Sequence, residues 1–574
     1  FFFNKNNKLK IYILLIRFEY GVEGGLMKKT ILILGIIFLI IGIAVYPAIA
    51  IEPITSKNIV QNTEMEELEK PIPGELLFGI STDIVWDKTY GGRLFDDGNF
   101  VIQTNDGGYI FCGVTLSYAP SGNMGDAWVV KTDLYGNIIW NKTYGGKKRE
   151  NFLCVQQTSD GGYILTGYTS SFGAGVDDLW LMKIDSSGKK EWDKTYGCSS
   201  YDNGVFVKQT SDEGYIIVGR TEKYSTFEDI WLIKTDNLGN LTWDKAFNTG
   251  AYECGFYLQQ TTDGGYIIVG DIFTFYYPMP FIAGWAIKTD NIGNIQWDKK
   301  FWYGTDDCTT KSVCQTSDGG YIIAGGTACF GTTGLDAWLI KLDETGSEVW
   351  NKTYGVQNVD EIHCVQQTTD SGFIFTSGAD GDLRLVKTDN FGTIEWDRRY
   401  GGSKGEVGLS VQQTSDGGYI VGGTTLSYGG GYFDFWLIKT DENGKINESN
   451  HRPDIPMTPS GPTDGEIGVQ YIFNSSTNDS DGDMIFYWFD WDDGDTSGWI
   501  GPFSSGETVE ASHMWTKGDG YKIHVKAMDE HGREGEWSEP FLISIKKSKS
   551  ISNLLFLRFL ERYPLLNRLL NLVK

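Results

Sequence analysis

The stretch Ser159-Asp160-Gly161-Gly162-Tyr163 opens a unit that recurs along the chain. Each copy continues with a short apolar run, such as Tyr266-Ile267-Ile268-Val269-Gly270, and with a segment like Asp434-Phe435-Trp436-Leu437-Ile438-Lys439-Thr440-Asp441. A glycine turn then leads to a tryptophan, at Trp86, Trp140, Trp192, Trp243, Trp297, Trp350 and Trp396. Seven tryptophans spaced 46 to 54 residues apart indicate a repeat architecture, in which one supersecondary unit is copied and stacked.

Each unit predicts four β-strands. The Asp-Gly-Gly turn is a tight hairpin signal between the first two strands. Runs such as Trp231-Leu232-Ile233 are apolar without alternation, which is typical of a strand buried on both faces. The blades of a β-propeller stack face to face and bury both faces. Residues 84–446 therefore predict an all-β domain, a seven-bladed β-propeller.

The ends of the repeat predict how the ring closes. The last unit stops at Gly444-Lys445-Ile446-Asn447, before any Trp-x-Lys strand. The first such strand, Ile84 to Tyr90, precedes any complete unit. We expect this N-terminal strand to complete the last blade, which leaves no open sheet edge.

The repeated pattern DGGYI…GxT…DxWLIKTDxxGN…WDKTYGG resembles a repeat family of secreted archaeal and bacterial proteins. The resemblance covers residues 84–446 and implies the propeller fold, with a closure like that of WD-repeat propellers. Members of the family often have no known activity, and some are grouped with glycan-degrading enzymes.

The residues before the propeller predict export. Residues 1–26 contain no methionine and are interpreted as a mis-annotated, untranslated leader. Met27 begins a positively charged and then apolar stretch that ends in Ala48-Ile49-Ala50, so residues 27–50 predict a signal peptide and residues 51–83 a linker. A retained membrane anchor is the alternative, because the apolar stretch is about 20 residues long, as a span requires. We expect a secreted or cell-surface protein.

The composition excludes one class of partner. A net charge of −26 repels nucleic acid and keeps an exported protein soluble. A hydrophobic content of 40% is enough to build a core, which argues against disorder.

A second domain follows a proline-rich linker at residues 447–462. Residues 463–546 predict alternating strands, and two of their segments, Phe489-Asp490-Trp491-Asp492-Asp493-Gly494-Asp495 and His513-Met514-Trp515, resemble the polycystic-kidney-disease (PKD) type of immunoglobulin-like domain. The resemblance implies a β-sandwich that serves as a spacer or adhesion module.

Within this domain Asp479, Asp481 and Asp483 present alternating oxygen ligands, and Gly482 permits a sharp turn. Hard cations such as Ca²⁺ favour this arrangement, although the distal glutamate of an EF-hand is missing. A plain polar turn is the alternative. No other cofactor is expected.

Residues 547–574 mix leucine and phenylalanine with lysine and arginine, and they predict a short amphipathic basic helix. The segment is too short and too charged to span a membrane. We expect it either to pack on its own protein or to contact the envelope or a membrane surface.

The sequence shows little sign of catalysis. Of the five histidines only His363 lies in the propeller, so a histidine-based metal site or catalytic triad would lack its parts. The eight cysteines show no zinc spacing, and buried thiols in strands are the simplest interpretation. Carboxylate pairs for glycoside cleavage cannot be selected by spacing among so many aspartates.

Two repeated positions are candidates for a binding face. In six of the seven units an acid stands eight residues before the threonine of the Gln-Thr pair, and the fifth unit has Cys308 there. The acids are Asp96, Glu150, Asp202, Glu253, Asp360 and Glu406. An aromatic residue recurs in the next loop: Tyr118, Phe172, Tyr224, Phe275, Phe330 and Tyr428. Both loops are expected on one face, where a sugar or a cationic peptide would meet them. The alternative is a structural role within each blade.

The fourth unit departs from the repeat through five aromatic residues in a proline-bounded loop, which often marks a binding site. The candidate ligand-binding residues are Phe273, Phe275, Tyr276, Tyr277 and Phe281, with Glu253 and Asp360. The sixth unit lacks this loop and runs straight through Gly378-Ala379-Asp380-Gly381.

The leading hypothesis is an exported binding or adhesion protein whose ligand, a glycan or a protein, lies on the propeller face. A secreted glycan-active hydrolase or lyase that uses propeller-face carboxylates is the first alternative. A structural envelope component is the second.

Overall fold

The computed structural model describes residues 85–546, except 121, 226, 275–280, 303–305, 331–333, 356–359, 431, 447–449 and 531. The predicted leader, signal peptide and N-terminal linker, Ile84 and the predicted C-terminal helix at 547–574 lie outside the described residues. The described part of the chain is all-β and contains no helix. It accordingly holds no helix that could cross a membrane.

Seven four-stranded antiparallel sheets follow one another through the described residues before the second domain. Sheet 1 contains β2 (Asp96–Gln103), β3 (Tyr109–Thr115), β4 (Asp126–Thr132) and β5 (Ile138–Tyr144). Sheet 2 contains β6 (Glu150–Gln157), β7 (Tyr163–Thr169), β8 (Asp178–Ile184) and β9 (Lys190–Tyr196). Sheet 3 contains β10 (Asp202–Gln209), β11 (Tyr215–Thr221), β12 (Asp229–Thr235) and β13 (Leu241–Phe247).

The remaining sheets repeat this order. Sheet 4 contains β14 (Tyr252–Gln260), β15 (Tyr266–Thr274), β16 (Phe281–Thr289) and β17 (Ile295–Phe301). Sheet 5 contains β18 (Cys308–Gln315), β19 (Tyr321–Thr327), β20 (Asp336–Leu342) and β21 (Glu348–Thr353). Sheet 6 contains β22 (Ile362–Gln367), β23 (Phe373–Ala379), β24 (Asp382–Thr388) and β25 (Ile394–Tyr400). Sheet 7 contains β26 (Glu406–Gln413), β27 (Tyr419–Thr425), β28 (Asp434–Thr440) and β1 (Trp86–Tyr90).

The N-terminal strand β1 completes sheet 7, as the repeat boundaries predicted. It pairs antiparallel with β28, with Trp86 opposite Lys439 and Tyr90 opposite Phe435. The apolar runs are also buried on both faces, as predicted: β4, β8, β12, β20 and β28 are buried along their whole length.

An aspartate fixes each hairpin turn between the first two strands of a sheet. In sheet 2 the Asp160 carboxylate accepts hydrogen bonds from Thr158 Oγ1 at 2.5 Å and from the Gly162 N–H at 2.9 Å. The buried Lys183 ammonium lies 2.9 Å from the same carboxylate. These bonds outweigh burial and lower the pKa of Asp160 to about 2. The lysine of each repeated Lys-Thr pair therefore binds the aspartate of the Asp-Gly-Gly turn in the same sheet.

The first strands of the seven sheets contact one another in a closed cycle, so they surround a central channel. Glutamine amides join them. In every sheet the residue after the Gln-Thr pair donates its backbone N–H to a glutamine side chain of the next sheet. The accepting glutamine is the last residue of that sheet's first strand, and the distances are 2.8–3.1 Å. The bond from Ser415 in sheet 7 to Gln103 in sheet 1 closes the cycle at 2.9 Å.

The repeated tryptophans join the sheets at the outer side. Trp140 of β5, in sheet 1, packs on Tyr163 of sheet 2, with ring centroids 6.4 Å apart. The same contact recurs between the other neighbouring sheets, and Trp86 of β1 makes it with Tyr109 of sheet 1 at 5.6 Å. The tryptophan that marks the repeat is thus the contact that joins one sheet to the next.

The second domain consists of two sheets that share one core. Its strands are β29 (Asp464–Glu466), β30 (Tyr471–Ser475), β31 (Ile485–Asp490), β32 (Thr496–Phe503), β33 (Val509–His513), β34 (Gly520–Asp529) and β35 (Phe541–Lys546). Strands β30 and β33 form one sheet, and the other five form the second. Phe473, Trp491 and Trp515 are fully buried between them.

A buried ionic contact joins this domain to the closing strand of the ring. Asp87 of β1 is 1% exposed and accepts the Trp436 indole N–H at 3.1 Å. Its two oxygens also face Arg533 Nε at 3.0 Å and the guanidinium of Arg452. Burial, together with the neighbouring Arg533 charge, lowers the pKa of Arg452 to about 9. One carboxylate therefore pairs with two arginines at this contact.

Candidate functional site

The repeated acids are buried and hold the loops of their own sheets. Asp96, Glu150, Asp202, Glu253, Asp360 and Glu406 are each at most 1% exposed. Asp96, for example, accepts hydrogen bonds from the Gly92 N–H at 2.7 Å and from Ser117 Oγ at 2.5 Å. A ligand on the surface does not reach these carboxylates, and the geometry supports their structural interpretation.

The two acids predicted to meet a ligand share this environment. Glu253 accepts from the backbone N–H groups of Thr249 and Ala251, at 3.0 and 3.3 Å. Burial raises its pKa, which the Thr249 bonds oppose. Asp360 is fully buried, and its backbone N–H donates to the Leu335 carbonyl at 2.7 Å.

The aromatic loop of the fourth unit is described only at its two ends. Phe273 and Phe281 are half-buried, and β15 and β16 are each nine residues long against seven in the other sheets, so this hairpin extends further. Phe281 packs against the hydrophobic core. Phe275, Tyr276 and Tyr277 lie outside the described residues, and their role as ligand contacts stays a prediction.

The repeated loop aromatics lie over the buried tryptophan of their own sheet. Tyr118 is 5.5 Å from Trp128, and its hydroxyl donates to the Gly91 carbonyl at 2.7 Å. Phe172, Phe330 and Tyr428 pack in the same way. The sixth unit replaces this loop with a two-residue turn at Asp380 and Gly381, both with positive φ, as an Asp-Gly hairpin requires.

The central channel is closed in its middle by aromatic side chains. Phe100 of β2 contacts Phe206 of β10 at 5.5 Å, and Phe206 contacts Tyr257 of β14 at 3.9 Å. Strands β2 and β10 belong to sheets that are not neighbours, so these rings cross the channel axis.

One end is lined by the repeated glutamines. Two adjacent cavities there are bordered by Gln103, Gln156, Gln209, Gln367 and Gln413, among others. The amide oxygens of the last glutamine of each first strand accept the hydrogen bonds that join the sheets. The hydrogen-bonded glutamines belong to the repeat, whereas the position before each of them varies and places Ile102, Gln156 and Lys208 in the lining.

The other end, which we term the loop-side mouth, breaks the repeat. It is formed by the second residue of each first strand, by the bulged residue two positions later and by the residue opposite on the second strand. These positions carry residues that differ from sheet to sheet. We define the mouth by Asp97, Asn99, Asn151, Arg220, Phe256, Asp271, Lys311, Glu361 and His363.

A charged triad occupies the mouth at sheets 4 to 6. Lys311 Nζ lies 2.7 Å from Asp271 and 3.6 Å from Glu361. Burial raises the pKa of Asp271 to about 6, and the Lys311 charge opposes this shift. Burial lowers the pKa of Lys311, but the two carboxylates outweigh it and raise the value. Asp271 and Lys311 are therefore both charged at neutral pH.

Aromatic and imidazole rings border this triad. The Lys311 ammonium lies 3.9 Å from the centroid of the Phe256 ring, within cation–π distance. Burial lowers the pKa of His363, and the Glu361 charge opposes this effect. His363 is therefore neutral at pH 7 and offers one donor and one acceptor.

A second polar group continues around the mouth. Arg220 Nη1 lies 3.0 Å from Glu228 and 3.6 Å from Cys254 Sγ. Between sheets 1 and 2, Asn99 Nδ2 donates to the Asn151 side chain at 2.9 Å. The mouth thus offers amides, paired charges and an aromatic ring, which are groups that suit a polar ligand with many hydroxyl groups.

We expect Asp97→Asn to raise stability at neutral pH. Burial raises the pKa of Asp97 from 3.8 to about 6, against a backbone hydrogen bond from Gly98. Between about pH 4 and about pH 6 the native state keeps a proton that the unfolded chain releases, so wild-type stability falls as pH rises through this window. Asparagine removes the ionisation.

Urea unfolding across that window measures the effect of Asp97→Asn. Asp160→Asn is the control with the opposite sign, because the lowered pKa of Asp160 stabilises the fold at neutral pH and that contribution is lost in acid. An unchanged pH slope in Asp97→Asn would contradict the expectation.

The predicted calcium ligands divide between two places. Ligand oxygens of Asp479, Asp483 and Asp529 lie within 4.8 Å of one another. Asp479 is 5% exposed, and its Oδ2 atom has no hydrogen-bond partner. Asp481 instead faces His451, with Oδ1 2.8 Å from the ring Nδ1. Two residues of the predicted set, Asp479 and Asp483, therefore lie together with Asp529, whereas Asp481 lies apart, and calcium binding stays a prediction.

The linker enters this acidic cluster. Asn450 Nδ2 donates to Asp529 Oδ2 at 2.7 Å, and the Arg533 N–H donates to Asp529 Oδ1 at 2.8 Å. Arg533 is also one of the two arginines on Asp87. The carboxylate cluster and the contact between the domains thus share one residue.

One solved structure is similar to a segment of the chain. No family model matches the chain, and no curated protein matches it. Over 17% of its length the chain is similar to the PKD domain of an M14-like peptidase from a Thermoplasmatales archaeon, at 41% identity, covering 99% of that chain, with a TM-score of 0.16. This segment is similar to a PKD domain.

Solved structures with lower identity match the larger part of the chain. Drosophila Plexin A, solved in complex with Semaphorin 1b, matches 62% of this chain and 88% of its own, at 8% identity and a TM-score of 0.37. Prolyl oligopeptidase B from Galerina marginata matches 69% of this chain and 56% of its own, at 10% identity and a TM-score of 0.36. At these values the neighbours assign no activity.

The repeat does not predict the mouth residues, because it identifies only the positions that all units share. Asp271, Lys311, Glu361 and His363 stand where the other units carry different residues. The signal for these residues in the sequence is the variation among the seven aligned units at positions that differ from sheet to sheet.

Proposed function

We propose that the chain is an exported, non-enzymatic binding protein whose ligand is a glycan held at the loop-side mouth. In this proposal residues 84–446 form a seven-bladed propeller head, and residues 463–546 form a PKD-type immunoglobulin-like domain. The observation that carries the proposal is the cluster of sheet-specific polar residues at the loop-side mouth, where Lys311 faces both Asp271 and Glu361.

The charge balance of the mouth favours a neutral polyhydroxylated ligand. Its two cations, Arg220 and Lys311, already face carboxylates at 3.0 and 2.7 Å. A phosphate or sulfate group would have to displace those partners, whereas sugar hydroxyls can donate to carboxylates and accept from amides beside them. Phe256 supplies an apolar ring of the kind that packs on sugar C–H groups.

The alternative of a glycan-active enzyme has one observation in its favour. Asp271 and Glu361 converge on Lys311, and the pKa of Asp271 is raised to about 6, in the direction that a general acid needs. However, the Lys311 ammonium lies between the two carboxylates, and Asp271 is 0% exposed. A carboxyl group that a substrate does not touch cannot protonate it, so binding is the better-supported function.

A glycan array probed with the purified full chain tests the proposal. We expect binding to a restricted set of neutral glycans, confirmed by calorimetry with the glycan bound most strongly. Glu361→Gln keeps the shape of the side chain and should weaken binding about tenfold or more, because it removes a charged hydrogen-bond acceptor. Glu348→Gln, on the exposed outer strand β21, is the matched control.

Two results would overturn the proposal. One is an array without any bound glycan. The other is equal loss of binding in Glu361→Gln and Glu348→Gln. Release of reducing ends from the bound glycan would instead favour the enzyme.

We further propose that Asp479, Asp483 and Asp529 hold a Ca²⁺ ion in the second domain. Three carboxylates at this separation, one with a buried oxygen lacking a hydrogen bond, are hard oxygen ligands of the kind that Ca²⁺ takes. The ion would also relieve the mutual repulsion of three negative charges.

We expect chelation to lower the Tm of the full chain. At a calcium concentration about 100 times Kd, ligand binding stabilises the folded state by about 2.7 kcal/mol. Differential scanning calorimetry with millimolar Ca²⁺ or with a chelator measures this shift. Asp529→Asn should abolish the shift and Asp481→Asn should keep it. A Tm that does not respond to Ca²⁺ in the wild type would favour a plain polar turn.

A further inference from the structure

Sheet 5 carries two cysteines where other sheets carry a hydrogen-bonded pair. In sheets 1, 2 and 7 the acid that opens the first strand bonds a serine 21 residues later. These pairs are Asp96 with Ser117, Glu150 with Ser171, and Glu406 with Ser427. Cys308 and Cys329 occupy the same two positions at the same separation.

The two sulfur atoms meet in the structure. Cys308 Sγ lies 3.1 Å from Cys329 Sγ. Closing this gap to a disulfide bond of about 2.05 Å requires a movement of about 1 Å. The two cysteines thus stand at the positions of the acid–serine pair of sheets 1, 2 and 7, and their sulfur atoms are in contact.

The surroundings of Cys308 changed along with it. In the other sheets a glycine or asparagine stands five residues after the repeated tryptophan, and a second acid, such as Asp178 or Asp382, lies against it. At the junction of sheets 4 and 5, Trp302 and Ala283 occupy these positions.

From these observations we propose that Cys308 and Cys329 form a disulfide bond that takes the place of the acid–serine hydrogen bond. The bond needs an oxidising compartment, so its presence in the cell rests on the proposed export. The other six cysteines, Cys112, Cys154, Cys198, Cys254, Cys314 and Cys364, remain thiols.

The oxidation takes place by exchange with an organic disulfide such as oxidised glutathione. Cys329 is the more accessible thiol, and Cys308 is fully buried. The Cys329 thiolate attacks one sulfur of glutathione disulfide and releases one glutathione thiolate. The Cys308 thiolate then attacks Cys329 Sγ and releases the second. The two protein thiols lose two electrons and two protons, and glutathione disulfide is reduced to two thiols.

Refolding the reduced full chain in a glutathione redox buffer, followed by alkylation and peptide mapping, tests the proposal without relying on export or on ligand binding. We expect one linked peptide containing Cys308 and Cys329, lighter by two hydrogens than its reduced form, and six alkylated cysteines. Alkylation of all eight, or a different linked pair, would overturn the proposal.

A double variant distinguishes the loss of the disulfide bond from a general folding defect. Cys308→Asp with Cys329→Ser restores the pair found in sheet 1, so it should fold and melt at the same temperature with or without reductant. The wild type should lose about 5 °C on reduction, because the bond closes a loop of about 20 residues. A wild-type Tm that reductant does not change would count against the proposal.

Discussion

Deletion of strand β1 (Trp86–Tyr90) is expected to make the chain aggregate and to lower the free energy of unfolding of what remains soluble by about 5 kcal/mol or more. The deletion removes the buried Trp86 and Tyr90 side chains and exposes the hydrogen-bonding edge of β28, which lies between β27 and β1. Size-exclusion chromatography and thermal melting measure the two effects.

A chain that begins at residue 85 is the matched control, because it keeps β1 whole and loses the segment before it. We expect it to remain monodisperse. Normal solubility and melting of the β1 deletion would contradict closure of the ring by the N-terminal strand.

Replacement of Asp87 by alanine is expected to lower the free energy of unfolding by about 3–5 kcal/mol. Arg452 and Arg533 both face this carboxylate, and their side chains are only 14% and 15% exposed. Without Asp87 the two positive charges would face each other in a buried contact. Urea unfolding of the full chain measures the loss.

The matched control for Asp87→Ala is Asp193→Ala. Asp193 accepts the Trp180 indole N–H at 3.1 Å, as Asp87 accepts that of Trp436, but its ion-pair partner Lys190 is half exposed. We expect a loss of about 1 kcal/mol there. Equal losses in the two variants would show that the contact between the domains contributes no stability beyond that of the repeated Trp–Asp hydrogen bond.

The local elements of the propeller could be predicted because each is dictated by a few neighbouring residues. The Asp-Gly-Gly turn needs a left-handed backbone at Gly161, and an aspartate two positions after the threonine to bind it. The third strands need unbroken apolar runs because both faces are covered. The tryptophan spacing fixed the period, and the truncated last unit showed which strand closes the ring.

The loop-side mouth could not be predicted in the same way, because its contacts cross sheets. Lys311 meets Asp271 only because the first strand of sheet 5 lies beside the second strand of sheet 4, 40 residues earlier in the chain. Asp529 likewise joins Asp479 and Asp483 across the second domain. Periodicity reports what each unit shares, whereas a binding site depends on what one unit has alone.

The repeated acids show that a recurring position can serve the fold and not a ligand. Their regular recurrence suggested a ring that could meet a ligand, but Asp96 and its counterparts are recurrent because every sheet has the same loop to hold. The contact between the second domain and β1 was also unforeseen, since Arg452 and Arg533 lie outside the repeat and reach a residue more than 350 positions earlier.

The central claim is that the loop-side mouth binds a glycan. Its most direct test is calorimetric titration of the array-selected glycan into the wild type, the double variant Phe256→Ala with Glu361→Gln, and Glu348→Gln. We predict wild-type affinity for Glu348→Gln and at least a hundredfold loss for the double variant, which removes a stacking surface and a hydrogen-bond acceptor at once. Wild-type affinity in the double variant, with its fold intact by circular dichroism, would contradict the claim.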